Sequence, residues 1–278
     1  MTSRQRFASL LLTVAMGAPV GAQQQPRTIQ RIAFYRLKPD RLSDFVAAVK
    51  EYAEVEKKAG VKHDYTVWAS LTGEREFARV DLYAKFAEMD TSFDAGAPGG
   101  ADRARLGAKI NDCEASSTRT VITRIDPETL IGGSGYPPMI VVDWLRVHPG
   151  KGPEFHALVK SDLLPMEKKA GVKFFFVAQT AFGAPVTEME VVSGISNWAV
   201  IDGGSPVHSM GEEAYQHWRA KSIALTDIRH QEIYRFRADL SYSPAPASST
   251  QRSSVSYFRA GFVSQAWSVR GEPSGAAG

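Results

Sequence analysis

Hydrophobic and polar positions run through the same series of patterns twice along this chain. Ile29 to Leu37 is rich in β-forming residues and is broken by Pro39-Asp40. Leu42, Phe45, Val46, Val49, Tyr52 and Ala53 then recur at the spacing of a helix with one buried face. Ala59-Gly60 supplies the glycine stop expected at a helix C-terminus. Val61 to Leu71 and Glu76 to Tyr83 read as strands joined by a Thr72-Gly73-Glu74 turn. A helix over Ala101–Cys113 and a strand over Thr118–Ile125 complete the series.

The second series opens with a strand over Met139–Val147, stopped by Pro149-Gly150. A helix over Pro153–Ala170 carries Phe155, Leu158 and Val159, and Pro165 predicts a kink, because proline removes a helical hydrogen bond. Val172–Thr180 reads as a strand, Ala181–Gly194 as a long connection, and Ser196–Ile201 as the third strand. Glu212–Leu225 reads as the second helix and Arg229–Arg237 as the last strand. The two series share an identical heptapeptide, Glu56-Lys57-Lys58-Ala59-Gly60-Val61-Lys62 and Glu167-Lys168-Lys169-Ala170-Gly171-Val172-Lys173. Each series is therefore β-α-β-β-α-β, which points to a duplicated module. Modules of roughly 100 residues can bury a core without disulfides or metal.

The implied organisation is a first repeat over 28–130, a Gly/Pro-rich linker over 131–138 and a second repeat over 139–243. Residues 244–278 turn to Pro, Ala, Ser and Gly and read as a disordered tail. Residues 1–22 carry Arg4 and Arg6, an apolar stretch from Phe7 to Ala18, and the small residues Val20-Gly21-Ala22. That is the pattern of a cleaved secretory signal, so the expectation is an exported protein, periplasmic or extracellular, with no stable membrane anchor after cleavage. Loss of those two arginines and no acid lowers the formal charge from +3 to +1. Such a balance gives no electrostatic footprint for nucleic acid. The one cysteine, Cys113, excludes an intrachain disulfide and argues against a structural zinc site.

The element order and the repeat resemble the ferredoxin-like plait and, more narrowly, the dimeric α/β-barrel superfamily. That grouping holds small cofactor-independent monooxygenases, muconolactone-isomerase-like, EthD-like and NIPSNAP-like proteins. The resemblance implies an α+β fold of two tandem plaits packed sheet to sheet as an intrachain barrel around a pocket. It covers roughly residues 28–242, and no motif selects one family.

Strand alternation then proposes a lining. In the third strand Ala78, Val80 and Leu82 suit packing under helices, which leaves Phe77, Arg79, Asp81 and Tyr83 to face the pocket. Ile32, Phe34 and Arg36 follow on the first strand, with His63, Tyr65 and Val67 favoured on the second and Asp64, Thr66 and Trp68 as the alternative face. The repeat assigns Trp144, Arg146, Phe174, Phe176, Trp198 and Asp202 to the second half, pairing His63 with Phe174, Tyr65 with Phe176 and Asp81 with Asp202. Arg36 with Asp81, and Arg146 with Asp202, also suit structural ion pairs. Asp143, a carboxylate in mid-strand, needs a partner if buried.

These residues suggest a small aromatic or amphipathic ligand held by Phe34, Arg36, Tyr65, Arg79, Asp81, Tyr83, Trp144, Arg146, Trp198 and Asp202. No metal or cofactor is expected: His208 and His217 lack a ligand-pair spacing, and no phosphate cradle or serine elbow is present. An alternative is a cofactor-independent oxygenase or isomerase with His63 as proton acceptor, histidine being the side chain that titrates nearest neutrality. A third reading is a structural or assembly protein with a solid core. The oligomeric expectation is a monomeric pseudo-dimer or a homodimer.

Overall fold

The computed structural model describes residues 27–92, 99–132, 135–202 and 211–244. The signal-like segment, the tail, His208 and parts of the predicted loops and linker lie outside these residues. In chain order the elements are β1 (Ile29–Arg36), α1 (Leu42–Lys58), β2 (Tyr65–Ser70), β3 (Glu76–Tyr83), α2 (Ala87–Ser92), α3 (Gly100–Asp112) and β4 (Arg119–Ile125). There follow β5 (Met139–Val147), α4 (Gly152–Leu158), α5 (Leu164–Lys169), β6 (Phe175–Phe182), β7 (Glu188–Ile195), α6 (Ala199–Asp202), α7 (Glu212–Leu225) and β8 (Thr226–Phe236).

The eight strands close into one antiparallel barrel in the order β1-β3-β2-β8-β5-β7-β6-β4. Each half contributes a four-stranded sheet with its fourth, first, third and second strands side by side. The halves meet along two seams, β2 with β8 and β4 with β6. Closure removes the exposed sheet edges that an isolated plait would present.

The repeated heptapeptide forms the same corner in both halves. Val61 N–H reaches Glu56 O at 3.0 Å and Gly60 N–H reaches Lys57 O at 3.2 Å. Val172 to Glu167 and Gly171 to Lys168 repeat the pair at 3.1 Å each. This is the Schellman ending, which requires a left-handed residue after the cap. Gly60 and Gly171 supply it with φ of 65° and 74°. The leading glutamate of each heptapeptide turns inward and is 2% exposed.

A π-helical turn over Val159–Leu163 joins α4 to α5 and lies just ahead of Pro165. The wider turn absorbs the hydrogen bond that the proline cannot donate, so the predicted kink takes the form of a π-bulge.

Three apolar clusters organise the interior. The central one draws on all eight strands, including Ile32, Phe34, Trp68, Ala78, Val121, Val142, Trp144, Phe176, Val192 and Tyr234. It fills the space between the two sheets. A second cluster joins the second sheet to α4, α5 and α7, and a third joins the first sheet to α1 and α3.

Two sequence expectations change here. The third strand of the second half is β7, Glu188–Ile195, and the residues expected to form it include the short helix α6. The alternation Met189, Val191 against Glu190, Val192 is interrupted by Glu188 and Glu190 at its start and by Ser193-Gly194 near its end, so its hydrophobic run is hard to see. The second change concerns β2. Val80 pairs with Ile32 and Thr66, while Val192 pairs with Val142 and Phe176. Thr66 therefore corresponds to Phe176, and Tyr65 to Phe175. The first half takes one more residue between corner and strand, and a one-residue slip turns every side chain to the opposite face.

Candidate functional site

The faces of β3 and β2 are inverted relative to the sequence expectation, whereas Ile32, Phe34, Trp144 and Phe176 face inward as expected. Ala78, Val80 and Leu82 point into the barrel, and Phe77, Arg79, Asp81 and Tyr83 lie on the outer, helix-covered face. Small side chains suit the narrow space between the sheets, whereas an arginine can lay its stem across the outer face and keep its head among polar groups.

On that outer face five expected residues do come together. Asp81, 2% exposed, accepts from Arg79 Nη2 at 3.0 Å and from Arg31 Nη1 at 3.4 Å, and lies 3.2 Å from His63 Nε2. His63 stacks on Tyr83 with ring centroids 4.6 Å apart. The Arg79 guanidinium sits 3.7 Å from the centre of the Tyr65 ring. Burial alone would raise the Asp81 carboxyl, but the charge of Arg79 and the bonds from His63 and Arg79 outweigh it and hold it well below the usual range. His63 is thus tied into an ionic network under α1, away from the barrel interior where a proton acceptor was expected.

Trp198 and Asp202 do not join any site: both lie beyond β7, and Trp198 is 46% exposed. The counterpart of Asp81 in the second half is Ser193, not Asp202, and Arg79 is matched by Val191. Arg36 pairs with Glu74, and Arg146 lies 3.7 Å from Glu188, so neither makes the ion pair expected of it. Asp143 finds its partner in Gln231 Nε2 at 2.5 Å.

Phe34, Arg36, Trp144 and Arg146 are gathered at one end of the barrel. Phe34 meets Trp144 edge-on at 5.9 Å. The Arg119 guanidinium stands 4.3 Å from the Phe34 ring centre and 5.9 Å from that of Trp144. Beside them is an open cavity of about 100 Å³ lined by Arg119, Trp144, Leu145, Glu188 and His230. His230 stacks on Trp144 at 5.9 Å.

A bulge shapes this mouth. Trp144 pairs with His230 and the next residue, Leu145, pairs with Ile228, so one β8 residue is left over in the ladder. Bulges re-aim side chains, and this one lies at the level of His230.

Behind the mouth lies a hydrogen-bonded acid pair. The Tyr234 hydroxyl is 2.8 Å from Glu76 Oε1 and 2.7 Å from Glu232 Oε2. Trp144 Nε1 donates to the same Glu232 oxygen at 3.2 Å, and His230 Nε2 lies 3.6 Å from it. A hydroxyl carries one proton, so it can donate to only one carboxylate. The other short contact requires a proton on a carboxyl. Glu76 is the one that burial pushes up, an effect the Tyr234 bond opposes and the Glu232 charge reinforces. Burial, then Glu76 and Glu232, push the Tyr234 hydroxyl far above its ordinary value.

Deeper in the barrel Glu190 is 3% exposed and accepts from Thr123 Oγ1 at 2.9 Å and from Gln30. Burial lifts its carboxyl to about 7, the Thr123 bond opposing. Among the described residues no group of three or more His, Cys, Asp and Glu is placed to hold a metal ion.

The sequence reading missed Arg119, Glu188, His230, Glu232, Tyr234 and Glu76. One signal was available: Glu76 opposite Arg36 and Glu188 opposite Arg146 occupy equivalent strand starts.

No family model matches this sequence, and no curated protein matches it. Solved structures do. An inferred monooxygenase from Fusobacterium nucleatum aligns over 79% of this chain and 99% of its own, at 10% identity and a TM-score of 0.56. An inferred monooxygenase from Lactobacillus acidophilus NCFM aligns over 78% and 97%, at 8% identity and a TM-score of 0.54. An anthrone oxidase-like protein aligns over 76% and 92%, at 11% identity and a TM-score of 0.54. At these identities the likeness is one of fold: this chain is an α+β protein whose eight antiparallel strands close into one barrel, as in these structures.

Proposed function

We propose that this protein binds a small, planar, negatively charged organic molecule at the Trp144 mouth of its barrel. The cavity bounded by Arg119, Trp144, Glu188 and His230 carries this reading. Arg119 offers a cation fixed over two aromatic rings, and Trp144 offers a flat apolar wall. A few convergent polar groups around an apolar wall are the usual make-up of a ligand site. The names of the three structures of the same fold, two inferred monooxygenases and an anthrone oxidase-like protein, favour an aromatic or otherwise planar ligand. The packed interior moves the ligand from between the sheets to their rim.

Titration of tryptophan fluorescence with aromatic carboxylates and quinone-like compounds tests this, with a thermal-shift screen alongside. Binding should weaken in Arg119→Gln and lose its fluorescence signal in Trp144→Phe. If no compound alters either readout, the reading fails.

The Tyr234 hydroxyl between two carboxylates favours a second reading, an enzyme that moves protons. A purely structural role is the remaining alternative; light scattering on the mature chain would separate a monomeric pseudo-dimer from a homodimer. The proposal includes export, motivated by residues 1–22, and recovered protein beginning at Gln23 would support it. It also includes origin by duplication, motivated by the identical heptapeptides and the shared strand order.

A further inference from the structure

We propose that the barrel mouth is an acid–base site that moves a proton at the carbon beside the carbonyl of a small 2-oxo carboxylate, with His230 as the group that touches the substrate. The inference rests on the binding reading above and adds a reaction to it.

Glu232 Oε2 accepts from Trp144 Nε1 at 3.2 Å and meets the Tyr234 hydroxyl at 2.7 Å, and His230 Nε2 stands 3.6 Å away, within ion-pair range. A carboxylate facing one imidazole nitrogen favours the tautomer with the proton on that side. The other nitrogen is then free to accept a proton. Glu232 and Tyr234 are positioning residues in this scheme, since they act through His230. The His230 side chain is half-exposed and lines the cavity, whereas that of Glu232 is only 13% exposed. The ring is therefore the member of the chain that a bound molecule can reach. The β8 bulge and the Trp144 stack fix its position.

The substrate class follows from the rest of the lining. Arg119 is the cation on the cavity and suits a carboxylate or an enolate oxygen. Trp144 favours a planar group, and about 100 Å³ admits a small one. Glu188 on the rim is turned to Arg146.

The step balances without oxidant or cofactor. His230 takes a proton from the carbon next to the carbonyl. The C–H electron pair becomes the C=C bond of the enolate, and the carbonyl π pair moves to oxygen, beside Arg119. Return of a proton from the imidazolium to carbon restores the oxo acid. Between these events the imidazolium exchanges its proton with water, or with the relay of Glu232, Tyr234 and Glu76 behind it.

The test uses the full mature chain and 2-oxobutanoate in D₂O. Loss of the C3 proton signal is followed by NMR, and binding of the same compound by tryptophan fluorescence. The protein should speed exchange above the buffer rate. His230→Gln should lower it by about 100-fold, a typical contribution of a positioned acid–base group, while binding persists. His230→Gly should regain exchange on addition of imidazole, which loss of structure alone would not produce. Glu232→Gln should shift the pH profile of exchange, and near-UV circular dichroism checks that it folds. Binding without exchange would overturn the proton-transfer step and leave the binding reading standing. Neither binding nor exchange would overturn both, and undiminished exchange in His230→Gln would remove His230 from the role.

Discussion

The two halves share one strand order and one helix-ending corner, yet the layer between sheet and helix differs in kind. In the first half β3 offers Arg79 and Asp81 to α1, and Arg31, His63 and Arg103 join them. In the second half β7 offers Val191 and Ser193 at the same places. Glu56 and Glu167 register the contrast, because they are the same residue of the same heptapeptide and are equally buried. Glu56 has Arg103 at 3.7 Å. Glu167 is met by the Ser193 hydroxyl at 3.4 Å. Among the described residues one oxygen of each carboxylate has no hydrogen-bond partner. Burial lifts both carboxyls; Arg79 and Arg103 pull Glu56 back, whereas Glu167 is pushed up to about 7, with Ser193 opposing and Asp143 reinforcing. The same backbone corner therefore carries a carboxylate facing cations in one half and, in the other, an acid that keeps its proton up to about pH 7. The neighbours decide which.

The largest effect expected from breaking this contrast is at Asp81. Asp81→Asn removes the buried anion that Arg31, Arg79 and His63 share and leaves partly buried guanidinium groups uncompensated. A loss of about 3–5 kcal/mol is expected in urea unfolding. Ser193→Ala, at the matching place, should change stability far less. Equal losses would show that the first-half network adds nothing beyond packing.

Next come the hairpin glycines that press each half against the other across the seams. A Cβ on Gly183 would lie 2.2 Å from the Thr120 carbonyl oxygen and 3.1 Å from Val121 Cα, both backbone atoms of β4. Its φ of 87° also disfavours any side chain. Gly183→Ala combines left-handed strain with overpacking against a strand that cannot move alone, roughly 3–4 kcal/mol in total. Thermal unfolding measures it, and a loss under about 1 kcal/mol would mean that the β4–β6 seam yields freely.

Much of the fold was legible because hydrophobic spacing and the repeated corner are local signals. β3, β5 and α7 fall where the patterns place them. The site was less legible, for two physical reasons. Which face of a strand turns inward depends on what closes over it, and Ala78 and Val80 suit a narrow barrel as well as they suit a helix. The extra residue before Tyr65 also inverts β2, and the identical heptapeptides hide it by aligning so well on their own. Phe34 and Trp144 were recoverable because β1 and β5 match without a gap. Tyr234 and Glu232 required knowing which strand of one half meets which strand of the other, and that seam has no local signature.

The pH dependence of Glu167 gives a smaller effect with a definite sign. Its folded value, about 7, lies above the ordinary 4.5. Below about 4.5 both folded and unfolded forms hold the proton, and burial carries no ionisation penalty. As pH rises toward 7 the unfolded form releases the proton first, so the native state loses stability, and the loss levels off above 7. Glu167→Gln should match the wild type near pH 4.5 and exceed it at pH 8 by up to about 3 kcal/mol. Glu190 titrates in the same window but is present in both proteins, so it cancels in the difference. Glu56→Gln should gain less, since Arg79 and Arg103 oppose the burial that raises its carboxyl and the change also loses the Arg103 contact. Unfolding free energies at a series of pH values measure both, and an equal gain in the two variants would erase the distinction between the halves.

The smallest effect expected is at Gly73, the hairpin glycine of the other seam. Its φ is 70°, and an added Cβ would stand 2.8 Å from Glu232 Oε1. Here the opposing atom is the end of a side chain, not a backbone carbonyl. Thr72 Oγ1 accepts from Ile233 N–H at 2.9 Å, and Leu71 N–H reaches Ile233 O at 2.7 Å, so the turn itself is tied to β8 and cannot retreat. Glu232 must swing instead. Gly73→Ala should thus lose about 1–2 kcal/mol, chiefly the left-handed strain. It should also loosen the Glu232 bonds to Tyr234 and Trp144, visible as a shift of the Trp144 indole N–H resonance. Gly183→Ala should leave that resonance nearly unmoved although it unfolds the protein more easily. A loss at Gly73 as large as that at Gly183 would mean that Glu232 is held as rigidly as backbone, and the mouth would then be a fixed wall with no freedom to adjust around a ligand.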